Sequence, residues 1–124
     1  SDYPRERYTQ LLYHTRQSYE GLSLSVRKTS KGYKAMLFVS AGTIPFHKNS
    51  KNQAIVSSII DGKRINSLAY LYEGQQTLLL DENFTKTILH ALQEKKSVKI
   101  LLDGFEEEIS SKRFSTLYKK FQSQ

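Results

Sequence analysis

The residues of this chain that could do acid–base or metal chemistry stand apart from one another. Its histidines, His14, His47 and His90, fall in three separate stretches. No His-x-His, His-Glu-x-x-His or Asp-x-Asp spacing brings two ligands onto one strand or helix face. Cysteine is absent, which excludes disulfides, thiolate nucleophiles and cysteine-type zinc sites. Serine and threonine are plentiful, but none lies in the Gly-x-Ser-x-Gly elbow that exposes a nucleophilic hydroxyl. No glycine-rich run leads into Lys-Ser or Lys-Thr, so no phosphate cradle is written here. The one carboxylate cluster is Glu106-Glu107-Glu108. Successive strand side chains point to opposite faces, so only Glu106 and Glu108 can converge. They could serve acid–base work or a cation, or line the solvent face of a hairpin opposite Lys99. The pattern describes a non-enzymatic chain with no catalytic residues, no cofactor and no metal.

Binding chemistry has more to work with. The net charge is +7, and it is uneven. Residues 1–72 hold 11 Lys/Arg against four Asp/Glu, whereas residues 73–124 hold eight of each. Such an excess fits either an anionic partner or a solvated basic surface. The most loop-like stretch, residues 44–52, contains Phe46, His47, Lys48 and Lys51, and Lys63 and Arg64 follow the next turn. These six form the candidate partner-binding set, for a protein partner with an acidic surface. Nucleic acid is the alternative, because a sheet reader interleaves exposed aromatics with Lys/Arg. Tyr33, Phe46, Tyr70 and Tyr72 beside Lys34, Lys48, Lys63 and Arg64 come nearest to that pattern. No Lys/Arg-Gly-Phe/Tyr motif accompanies them, and Tyr70 and Tyr72 also have the spacing of ordinary sheet packing.

The elements that must position these residues are written mainly as a sheet. The 124 residues suit one domain. Residues 4–19 read as a helix, with Pro4 at its first position and Tyr8, Leu11, Leu12 and Tyr19 as its stripe. From Gly21 the period becomes two: Leu22, Leu24 and Val26 alternate with Ser23, Ser25 and Arg27. Residues 35–39 are wholly apolar, as in a central strand. Asp61-Gly62 joins residues 54–60 and 63–72 as a hairpin, and residues 75–80 follow as a strand. Asp81 caps a helix carrying Phe84, Ile88, Leu89 and Leu92 on one face. Val98, Ile100 and Leu102 alternate, Asp103-Gly104 turns, and residues 105–109 return. A last helix from Ser110 or Ser111 carries Phe114, Leu117, Tyr118 and Phe121. The fold class expected is α+β: an antiparallel β-meander or sandwich-like sheet, an N-terminal helix (residues 1–20, part of the same unit) and two helices of the C-terminal half packed on it, residues 21–124 forming a single domain. No apolar run is long enough to span a membrane.

The succession Leu78-Leu79-Leu80, residues 84–92, Lys95-Lys96-Ser97-Val98-Lys99-Ile100 and residues 108–114 resembles small exported domains of Gram-negative bacteria. The families are the invasion-associated locus B-like and VasI-like domains, and the resemblance covers about residues 70–124. It implies a β-sandwich-like domain with helices against it, periplasmic or tethered as a lipoprotein on the periplasmic side. It also implies a secretion-system or virulence accessory role through protein–protein interaction, without catalysis; a cytoplasmic protein is the alternative. The chain departs from these families in lacking the cysteines many of them carry. Tyr118-Lys119-Lys120-Phe121 also replaces the usual small-residue ending. No functional residue is carried over.

Overall fold

The computed structural model describes residues 9–14, 21–47, 52–103 and 105–123. Six strands come first: β1 (Thr9–His14), β2 (Leu22–Thr29), β3 (Gly32–Val39), β4 (Gln53–Ile60), β5 (Lys63–Leu71) and β6 (Thr77–Leu79). They are followed by α1 (Glu82–Gln93), β7 (Val98–Leu102), β8 (Phe105–Ile109) and α2 (Ser111–Gln122). All eight strands belong to one antiparallel sheet in the order β1-β2-β3-β6-β5-β4-β7-β8.

The hairpin between β4 and β5 shows how locally the register is set. Asp61 and Gly62 both take positive φ, 48° and 83°. That pair of conformations twists a two-residue turn in the same sense as its strands. Ile60 therefore faces Lys63, and the pairing continues unbroken to Gln53 opposite Tyr70. Alternation then assigns faces. Leu22, Leu24 and Val26 of β2 and Ala35, Leu37 and Val39 of β3 are buried on one side. Ala54 and Val56, Ala69 and Leu71, Leu78, and Val98, Ile100 and Leu102 join them. Both helices pack on this inner face: α1 over β3, β4 and β7, and α2 over β1. The caps follow side-chain chemistry, since Phe84 N–H donates to Asp81 Oδ2 at 3.1 Å and Arg113 N–H to Ser110 Oγ at 3.3 Å.

Under α2 the filling is aromatic. Phe114 lies 6.3 Å from Tyr13 and 5.5 Å from Tyr118; Tyr118 continues to Phe121 at 5.7 Å, and Phe121 to Tyr33 at 6.1 Å. These separations suit tilted and offset ring packing. Tyr13 also receives a 2.8 Å hydrogen bond from the Ser110 N–H, tying β1 to the start of α2.

Three expectations need correction. Residues 9–14, expected within an N-terminal helix, are a strand; the remaining residues of that helix lie outside the described ones. The helical stripe put Leu11 and Leu12 on one face, but Leu11 and Tyr13 are buried while Leu12 is exposed, which is period two. Pairing with β2 over six positions makes that arrangement possible. The sheet is also not a simple meander. β6 inserts between β3 and β5, so the segment after β3 passes the end of the β5–β6 hairpin before β4 begins. Ile44, fully buried, fixes that passage: its N–H donates to Gln75 O at 2.8 Å and its carbonyl accepts from Gln75 Nε2 at 2.9 Å. Finally, the strands form one sheet rather than two facing sheets.

Candidate interaction surface

The sheet's second face has neither helix on it. Register places Leu12 of β1, Met36 and Phe38 of β3, Leu79 of β6, Leu68 and Tyr70 of β5, Ile55 and Ile59 of β4 and Leu101 of β7 on this side. Leu12, Ile55, Leu68 and Tyr70 are each close to half exposed, at 46–47%. Ile55 and Leu68 are direct cross-strand partners, and Tyr70 faces Leu79. Tyr70 and Tyr72 meet edge-on with ring centroids 4.9 Å apart. An apolar band therefore runs across the middle strands.

Polar chemistry borders the band. Arg64 is held by its neighbours: Nε donates to Asn66 Oδ1 at 3.1 Å and Nη2 to Ser57 Oγ at 3.3 Å, while Ser57 Oγ donates to Asn66 Oδ1 at 2.6 Å. Two of its five N–H donors are engaged among the described residues, and one edge of the fork is anchored. Lys34 is exposed on the same face on β3. At the far edge, Glu106 and Glu108 do share this face, as expected. Glu106 lies 3.9 Å from Lys99, and Ser97 Oγ donates to Glu108 at 3.4 Å. Both members of the Lys99–Glu106 pair are exposed, so it contributes little stability. Glu107 points the other way, opposite Ile100, and is buried.

The four described residues of the predicted partner-binding set, Phe46, His47, Lys63 and Arg64, are not brought together. Phe46 and His47 lie at one end of the β4–β5 hairpin, where the His47 N–H donates to Gln53 O at 2.7 Å. Phe46 is exposed there. Lys63 and Arg64 lie at the other end, beside Ile60 and Ile59. Seven residue steps of strand separate the two ends, roughly 23 Å at ~3.3 Å per residue. Lys48 and Lys51 lie outside the described residues. Of the aromatics considered for base stacking, Tyr33 turns out to pack on Phe121 beneath α2, while Tyr70 is on the uncovered face with Tyr72 against it. Sequence reading passed over Ile55 and Leu68. The signal for them was present, because Ala54-Ile55-Val56 and residues 35–39 are apolar at consecutive positions and so supply both faces of the sheet.

The histidines remain apart. His14 is in β1, His47 follows the β3–β4 passage, and His90 is on α1, where it pairs with Glu94. Among the described residues no group of three or more His, Asp or Glu could hold a metal ion. Lys95 and the start of α2 line a cleft of about 510 Å³ that also holds Glu108, so its charge is mixed. Tyr118 is the one group with a large shift among the described residues. Burial, and then the neighbouring Tyr33 hydroxyl, push it up to about 12. No described helix is long and apolar enough to cross a membrane. No family model, curated protein or solved structure matches this chain.

Proposed function

We propose that this chain is a non-catalytic protein-interaction module that docks its partner on the uncovered face of the sheet. One observation carries the reading: of the five large hydrophobic residues exposed among the described ones, four share that face. An apolar band rimmed by polar groups is the usual anatomy of a docking surface. Eight strands about 4.8 Å apart and roughly 20 Å long present on the order of 760 Å², close to the ~800 Å² each partner contributes to a standard interface. An envelope setting, periplasmic or lipid-tethered in a secretion or virulence accessory role, is supported by the resemblance of residues 70–124.

A photo-crosslinking side chain placed at Ile55 or Leu68 should yield an adduct with one partner in cells. The same group at Lys119, on the exposed side of α2, should not. Equal labelling from both sides would remove the uncovered face as the docking surface. Cell fractionation of the native gene product tests the setting, since a cytoplasmic pool alone would discard the envelope reading.

The competing reading, a nucleic-acid-binding domain, draws on the charge of +7 and on Tyr70 and Tyr72. Against it, those rings meet at 79° rather than forming a flat platform, and Glu106 and Glu108 share their face. Retention on oligonucleotides with a steep salt slope would reverse this preference.

A further inference from the structure

The uncovered face contains a feature more specific than an apolar band. β6 has three residues and β5 has nine, and they pair only at Tyr70 and Leu71. From Ala69 to Lys63, β5 is paired with β4 on one side, with no strand on the other among the described residues. Hydrogen-bond parity shows which groups face that open side. The Tyr72 N–H donates toward β6, to Thr77 O, whereas the Leu71 N–H donates to Asn52 O on the β4 side. The N–H and C=O groups of Leu68, Asn66 and Arg64 therefore point away from β4, because alternate residues present their groups to the same side. Among the described residues no ladder partner meets them, and the Leu68 carbonyl accepts its neighbour's Ser67 Oγ at 3.2 Å. Across the opening, Thr29, Lys31, Tyr33, Lys34 and Leu79 line a cleft of about 250 Å³.

Open sheet edges are templates for strand addition, and proteins commonly blunt them with charge, proline or bulges. β8, at the sheet margin, carries three consecutive glutamates. β5 has no proline and no acidic residue; its charges are Lys63 and Arg64 at the tip. Resting on the docking-face reading, we infer that this edge receives an extended segment of the partner protein as an added strand, and that the segment carries a carboxylate. The chemistry follows from the side chains at the edge. Leu68 and Arg64 stand four residues apart on the uncovered face, so a strand laid along them sets an apolar side chain beside Leu68 and a carboxylate beside Arg64. The guanidinium is already oriented by Asn66 and Ser57, which lowers the ordering cost of a charge-assisted contact. Lys34 adds a second cation on the far side of the opening. Glu82 also lines this cleft and is paired with Lys86 at 3.3 Å, and Asp81 caps α1. A second copy of the chain is a poor occupant because each copy carries +7.

The test uses the purified chain and peptides selected on it from a random displayed library. Selected peptides should combine an apolar residue with Asp or Glu and should slow amide exchange at Leu68, Asn66 and Arg64. Asn66→Pro removes an edge N–H donor that the β4 ladder does not use and should abolish binding, whereas Asn66→Ala keeps that donor, loses only the Oδ1 that orients Arg64, and should weaken binding no more than Arg64→Ala does. Arg64→Ala should weaken binding about tenfold. The exchange measurement on the wild-type chain decides the matter if Asn66→Pro does not fold. Peptides that lose affinity with Ile55→Asp but leave those amides unprotected would refute strand addition and leave the docking face standing. Peptides without acidic bias would refute the carboxylate. A library yielding no binder overturns the inference, and an oligothymidylate that protects the same amides reassigns the edge to nucleic acid.

Discussion

The two faces of the sheet are drawn from the same strands, and their compositions are closer than their fates. On β4, Ala54 and Val56 are fully buried while Ile55, between them, is nearly half exposed. On β3, Ala35, Leu37 and Val39 alternate with Met36 and Phe38, which are only partly covered. Hydrophobicity alone does not choose between these sides. Among the described residues the choice is made by α1 and α2, both on the inner face. Burial of an apolar strand face is thus a property of what lands on it.

The contrast can be broken most forcefully at its buried end. Phe114 is fully buried and touches both Tyr13 and Tyr118. Phe114→Ala should cost about 3–5 kcal/mol in denaturant unfolding, whereas Leu68→Ala on the uncovered face should stay within about 0.5 kcal/mol. Similar losses from both would mean that the uncovered face is part of the core. A smaller effect is expected at the tie between β1 and α2. Tyr13→Phe keeps the ring but strands the Ser110 N–H, and should cost about 1–2 kcal/mol.

The smallest effect is read against pH and again belongs only to the inner face. Tyr118 ionises near 12 in the folded chain and near 10 when unfolded. The unfolded state loses its proton first, so the contribution is complete below about pH 10 and is lost as pH rises toward 12. Tyr118→Phe should flatten the stability profile in that window, and an unchanged slope would show that the ring is more solvated than its position implies.

Much of the sheet was legible because it is written in local terms. Asp61-Gly62 located the β4–β5 hairpin, and Asp81 and the Ser110–Ser111 pair located the starts of α1 and α2. What failed depended on distant partners. Residues 9–14 are a strand because β2 offers them an edge and α2 covers Leu11 and Tyr13, and neither condition is visible within the segment. The insertion of β6 beside β3 was hidden for the same reason. The spacing among the described members of the predicted binding set is likewise set by the β4–β5 hairpin rather than by distance along the sequence. Phe46 and Arg64 are 18 positions apart, but a hairpin arm carries them to opposite ends. Ile55 and Leu68 were not singled out, because only the placement of α1 and α2 leaves them outside the core.

The bond between Tyr13 and Ser110 also bears on how the chain comes to be made. A ribosome delivers the N-terminus first. β1 to β6 can therefore emerge and begin pairing while the sequence of α2 is still to be synthesised. Until Phe114, Tyr118 and Phe121 arrive, the inner side of β1 and β2 is as bare as the side that stays uncovered. The arrival of α2 therefore converts a two-sided sticky sheet into a one-sided one. A nascent chain halted before α2 should be a target for chaperones on both surfaces, and the finished protein on one.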